Sequence, residues 1–189
     1  MRNAIILHGI CDSEEYFSDV YPSMSNSHWI PWLQKQFLIK GYSCQTPDVV
    51  NVYEANYQGW LETVSVHEIN EKTILVAHSA GCGFFLKYLS ENKNINFDKL
   101  ILVAPFKDPF LKYGDFLQTD FDLKLDKRCN EIHVLYSLDE DVKGIKESVD
   151  WLIETYKTAQ YHEFENHGHF CYGDMKTQEF QKLLDIALN

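Results

Sequence analysis

The stretch Thr73-Ile74-Leu75-Val76-Ala77-His78-Ser79-Ala80-Gly81-Cys82-Gly83-Phe84-Phe85-Leu86-Lys87-Tyr88-Leu89 constrains this chain more than any other. A short apolar run rich in β-branched residues ends at a serine, two small residues follow, and a helix-period pattern begins. This is the layout of a nucleophile elbow, G-x-S-x-G, with Ala77 in place of the first glycine. The spacing has a physical reason. A sharp strand-to-helix turn holds the serine in a strained conformation with its hydroxyl above the sheet. The residues two before and two after must be small, because strand and helix pass close together there. The helix N-terminus also aims backbone N–H groups at the place where an oxyanion would form. Taken alone, the same stretch also reads as a buried strand followed by a helix that Ser79 caps.

A chain of 189 residues suits one domain, residues 1–189, with a sizeable core. Seventeen basic against 28 acidic residues give a net charge of −11. That balance argues against a nucleic-acid partner and against adhesion to an anionic membrane. The first apolar run, Ala4 to Leu7, is too short for a signal peptide, and no stretch is long enough to span a bilayer. A cytoplasmic location is the expectation. Cys11, Cys44, Cys82, Cys129 and Cys171 are scattered and form no C-x-x-C pair, so free buried thiols are expected rather than a zinc site or a disulfide framework.

Strand-like and helix-like segments alternate from end to end, which implies a parallel sheet with helices on both faces. The expected strands are Ala4 to Leu7, Tyr42 to Gln45, the run before Ser79, Leu100 to Val103, Ile132 to Tyr136 and Tyr161 to Phe164. Helices are expected at about Ser27–Ile39, Tyr57–Val66, after Ser79, at Lys143–Tyr156 and at Asp174–Ala187, with a polar loop over Cys11–Asn26. Phe106 to Asp126 has weak periodicity and carries five aromatics. Ligands in such sheets bind beyond the C-terminal ends of the strands. That rule selects His8-Gly9, Ser79, Pro105-Phe106, Asp139 and the loop around His169.

After the fifth strand the chain reads Ser137-Leu138-Asp139-Glu140-Asp141-Val142. A carboxylate in this loop would orient a histidine and stabilise its imidazolium; Asp139 is the first candidate and Asp141 the reserve. A solvated acidic turn is the bland alternative. After the sixth strand comes Glu165-Asn166-His167-Gly168-His169-Phe170. A histidine here suits a general base that takes the Ser79 proton and returns it to the leaving group; His169 is preferred and His167 is the reserve. His78 should point away into neighbouring structure. The order Ser79, Asp139, His169, each after its own strand, is the order of one serine-hydrolase class and differs from the others. The oxyanion donors are expected to be the amides of Ala80 and, from the loop after the first strand, Ile10.

These residues resemble the small serine α/β-hydrolases that include retinoblastoma-binding protein nine and many bacterial proteins. The resemblance rests on Leu7-His8-Gly9, His28-Trp29-Ile30-Pro31-Trp32-Leu33, Pro47-Asp48, Trp60-Leu61, His78-Ser79-Ala80-Gly81-Cys82, Asp139 and Gly168-His169-Phe170, and covers essentially the whole chain. It implies a compact three-layer α-β-α sandwich with a mostly parallel sheet of about six strands and a minimal lid. It also implies that Ser79, Asp139 and His169 act as nucleophile, acid and base; some members of that family hydrolyse short acyl esters, and others are discussed chiefly for partner binding. Two departures stand out: Ala77 replaces the elbow glycine, and Glu140-Asp141 adds carboxylates to the acid loop.

The expected function is hydrolysis of small acyl substrates through an acyl-enzyme, with neither metal nor organic cofactor, and the sequence names no protein partner. Thioesters, amides and peptides stay open as substrates, since one constellation serves all acyl transfers. The contrasting expectation is an interaction module on a hydrolase scaffold with little turnover, because fold alone does not dictate function. The Phe106–Phe121 segment lies where larger hydrolases insert a lid, and its aromatics suit either an acyl pocket or plain core.

Overall fold

The computed structural model describes residues 2–189. Six strands, β1 (Asn3–Leu7), β2 (Ser43–Gln45), β3 (Thr73–His78), β4 (Lys99–Val103), β5 (Glu131–Ser137) and β6 (Gln160–Phe164), form one sheet in the order β2-β1-β3-β4-β5-β6. Every neighbouring pair is parallel. The helices are α1 (Ser13–Tyr16), α2 (Ile30–Ile39), α3 (Tyr57–Ser65), α4 (Ala80–Glu91), α5 (Ile145–Thr155), α6 (Tyr172–Met175) and α7 (Gln181–Leu188).

Side chains alternate across a strand, so each strand feeds two cores. Ile5, Leu7, Leu75, Ala77, Leu100 and Leu102 point to one face, where they meet α3, α4 and α5. Ala4, Ile6, Ile74, Val76, Ile101 and Val103 point to the other, against α2 and α7. This is the three-layer sandwich that the alternating pattern predicts. Coverage of both faces explains why β3 and β4 are buried at every position and read as near-continuous apolar runs.

Helix α4 is buried all round from Ala80 to Ser90, as expected of a helix seated at the middle of a sheet. Its lysine illustrates how a cation is accommodated there: the Lys87 ammonium donates to the carbonyls of Asp115 and Phe116 at 3.1 and 3.2 Å. That bond ties the β4–β5 connection to α4. The connection holds no lid helix. It is a turn-rich strap in which the fully buried Asp108 accepts the Lys112 and Tyr113 amides at 2.7 Å each. Phe106 and Phe116 enter the core, while Phe110 stays exposed.

Three boundaries differ from expectation. The polar loop over Cys11–Asn26 contains α1, capped by the Asp12 carboxylate on the Glu15 amide, and a 3₁₀ turn at Met24–Asn26. Helix α2 begins at Ile30 rather than Ser27, because Ser27 is extended and His28 adopts φ +58°. The helix expected over Asp174–Ala187 is two pieces, broken where Lys176 turns left-handed at φ +56°.

Candidate active site

Ser79 sits between the end of β3 and the first turn of α4 with φ +53° and ψ −121°. A serine rarely adopts positive φ, and here the close neighbours impose it. A Cβ on Gly81 would run into the backbone carbonyl of His8, so only glycine lets α4 start this close to β1. From the other side Gly9 approaches Ser79: a Cβ there would lie 2.9 Å from the serine's own Cβ. Ala77, in place of the usual glycine, fits because its methyl points into the α4-side core.

The hydroxyl of Ser79 lies 2.9 Å from His169 Nε2. The other ring nitrogen, Nδ1, lies 2.7 Å from Glu140 Oε2. A carboxylate only accepts, so Nδ1 carries the proton and Nε2 is free to accept from the serine. The Glu140 side chain is only 6% exposed, and that burial strengthens its interaction with the imidazole.

The expected pairing of Asp139 with His169 is not formed, and Glu140 stands in its place. Asp139 turns the other way. Its Oδ1 accepts the Ser137 hydroxyl together with the amides of His167 and Gly168, at 3.2 and 3.1 Å. The Ser137 hydrogen bond, with those amides, holds the Asp139 carboxyl below its usual range. The reason is reach. Asp139 is too close to the strand end to leave the 165–168 loop, whereas Glu140 is one residue further on and one methylene longer. Asp141, the reserve acid, is exposed to solvent. His167, the reserve base, faces away: its Nδ1 bonds the Glu165 carbonyl at 2.7 Å and its ring packs on Phe164.

The segment bearing His169 is held at several points. Asp174 accepts the amides of His169 and Cys171 at 3.0 and 3.3 Å. Phe170, with φ +58°, buries its ring among Phe164 and Phe180. His78 does not simply point away from the site. It passes beneath His169, and its Nε2 donates to the His169 carbonyl at 2.7 Å, with ring centroids 5.0 Å apart. Burial lowers the His78 pKa well below its ordinary value. Beside it, His28 Nδ1 accepts the Tyr172 amide at 3.2 Å, which requires a neutral ring; burial lowers its pKa to about 4.

On the opposite side, buried His8 bonds Gly9 O through Nδ1 at 2.6 Å and accepts the Val49 amide at Nε2, 3.0 Å away. It therefore fixes the loop after β1 to the loop after β2. Among the described residues, neither the Ile10 nor the Ala80 amide donates to a protein acceptor. Cys82 is completely buried, its thiol directed at the Ala77 and Val103 carbonyls, and burial pushes its pKa well up, so it packs rather than reacts.

Residues 20–169, which include Ser79, Glu140 and His169, match the serine hydrolase family. The chain belongs to that family. It is 33% identical over 164 residues to the Bacillus subtilis protein YdeN, named as a hydrolase, an overlap that takes in 82% of this chain and 84% of YdeN. The solved structure of the B. subtilis ydeN product superposes with a TM-score of 0.81 at 27% identity, over 98% of this chain and 96% of that one. Est1E of Butyrivibrio proteoclasticus, solved with ferulic acid bound, shares the fold at a TM-score of 0.66 and 12% identity, over 99% of this chain and 86% of Est1E. As a serine hydrolase, the enzyme cleaves acyl bonds through a serine-bound acyl intermediate. No helix among the described residues is long and apolar enough to cross a membrane.

Proposed function

We propose that this serine hydrolase attacks small acyl esters with Ser79, using His169 as the base and Glu140 as the acid that orients it. The carrying observation is the unbroken chain from Ser79 Oγ to His169 Nε2, 2.9 Å, and from His169 Nδ1 to Glu140, 2.7 Å. His169 takes the hydroxyl proton as Oγ adds to the carbonyl. Glu140 stabilises the imidazolium that results, and the same proton then goes to the departing alcohol. Water, activated by His169, clears the acyl group in a second pass through the same states.

The amides of Ile10 and Ala80 are the proposed oxyanion donors. Ala80 opens α4, where the helix dipole favours negative charge, and Ile10 follows the glycine that approaches Ser79. The sheet supports treating residues 1–189 as one domain, since β1 pairs between β2 and β3 within it and its cover includes α7. The strap over residues 104–124 carries no lid helix, which suits a site open to small substrates.

The test is turnover of p-nitrophenyl acetate and butyrate together with labelling by a fluorophosphonate probe. Wild type is expected to turn over and to carry the label on the Ser79 peptide. Ser79→Ala is expected to lose both while keeping its circular dichroism. Ester turnover that survives in folded Ser79→Ala would remove the assignment.

A further inference from the structure

A cavity of about 370 Å³ opens between the loops that follow β1 and β2, walled by Cys11, Glu15, Tyr16, Tyr21, Asp48 and Val49 among others. Two observations join it to the site. Val49 is bonded to His8, the neighbour of the glycine that touches Ser79. Cys11 lies two residues beyond that glycine, a span of at most about 7 Å of backbone.

The chemistry of the walls is specific. Tyr16 and Tyr21 line the cavity, and Tyr16 packs against Tyr53 and Phe17 with centroids 5.0 Å from each. Aromatic faces carry negative potential and attract organic cations, and quaternary ammonium sites use them. Two carboxylates share the cavity. Asp48 is held by Ser25, whose hydroxyl and amide donate at 2.7 and 2.8 Å, and its side chain is still 43% exposed. Glu15 has no cationic partner among the described residues. No lysine or arginine lies among the residues lining the cavity, nor anywhere between Arg2 and Lys35 or between Lys40 and Lys72, the two stretches that build it. Tyrosine rings and two carboxylates without a lysine or arginine partner, around an otherwise apolar hollow, disfavour an anionic group and favour a weakly hydrated cation.

We propose that this cavity is a specificity subsite for an organic cation, of the trialkylammonium type, carried by the acyl substrate of Ser79. The inference rests on the hydrolase reading above and adds the substrate class.

The test pairs each cation with its carbon isostere. For the acyl side these are the p-nitrophenyl esters of 4-(trimethylammonio)butanoate and 5,5-dimethylhexanoate. For the alcohol side they are acetylcholine and 3,3-dimethylbutyl acetate. Rates are divided by hydroxide-catalysed hydrolysis to remove intrinsic reactivity. In at least one pair, kcat/KM is expected to favour the cation by about tenfold. Glu15→Gln is expected to bring that ratio towards one, and because the ratio is read within each variant, a general loss of activity cancels. A parallel titration of butyltrimethylammonium chloride, followed by calorimetry, reads the cavity without turnover. Millimolar binding that Glu15→Gln weakens supports the subsite even if no ester is cleaved, an outcome that would count against the hydrolase reading alone. Brisk acetate-ester turnover with no cation preference in either pair, and no ammonium binding, would overturn the subsite and leave the hydrolase standing.

Discussion

Ser79, His169 and Glu140 depend on a set of neutral imidazoles that do no chemistry themselves. His78 holds the His169 carbonyl, so its expected effect is on rate rather than on substrate affinity. Replacing it by leucine is expected to lower kcat by about tenfold or more with little change in KM, since small misplacements of a base are costly. His78→Gln, which keeps an N–H donor, is expected to recover part of the loss. Steady-state kinetics on both variants, with folding checked by circular dichroism, would expose a merely structural role as equal stability loss with unchanged kcat. His28 gives a pH prediction. Its folded pKa, about 4, lies below the ordinary 6.5, so the unfolded chain binds the proton more tightly. Its contribution is therefore full above about pH 6.5 and is lost as pH falls towards 4, on the order of 2 kcal/mol. Urea unfolding at pH 7 and pH 4.5 is expected to show a drop that His28→Asn, which tolerates the left-handed backbone, makes smaller. An identical drop in the variant would remove His28 from the explanation.

At the scale of elements, the site is a consequence of how closely α4 and β1 approach. Gly81 faces the His8 carbonyl with no room for a methyl group, and the obstacle is backbone that cannot rotate away. Gly81→Ala is expected to cost about 3 kcal/mol or more, beyond ordinary overpacking, read as a lower urea midpoint at unchanged slope. A shift below about 1 kcal/mol would mean that α4 slides without penalty. The elements themselves were legible because their signals are local. Apolar runs with β-branched residues marked β1, β3, β4 and β5, the short aromatic-led segments at Tyr42 and Tyr161 marked β2 and β6, and small residues after Ser79 marked the turn into α4. The break between α6 and α7 was not legible, since Lys176 adopts a left-handed conformation that its residue type does not announce. The acid loop was misread for a related reason. Asp139, Glu140 and Asp141 are all plausible by position, and only the turn decides which side chain faces His169. The Ser…Asp/Glu…His order leaves room for glutamate, and this signal was present in the residues.

Across the whole molecule, the C-terminal ends of the parallel strands form one rim, and chemistry gathers there because every loop after a strand opens onto it. β1 contributes Gly9, Ile10 and the cavity wall. β3 contributes Ser79, β5 Glu140, and the segment after β6 His169. The same rim exposes Phe17, Val20, Tyr21, Val50, Leu138 and Tyr172, so apolar groups surround a centre with several carboxylates. Residues far apart in sequence meet here, which is why the chain order of Ser79, the acidic loop and His169 could be read while the lining of the cavity and the contacts of His78 could not. Their contacts span the fold and leave no periodic trace.

The identity of the acid tests the account most directly. The kcat for p-nitrophenyl acetate should be measured in Glu140→Gln and Asp139→Asn side by side, with both shown to be folded. Glu140→Gln is expected to lose about 10³-fold or more, because the amide no longer selects the Nδ1–H tautomer or stabilises the imidazolium. Asp139→Asn, whose native side chain accepts from Ser137 and two backbone amides rather than from His169, is expected to lose less than about tenfold. The reverse ranking would contradict the account and return the acid role to Asp139.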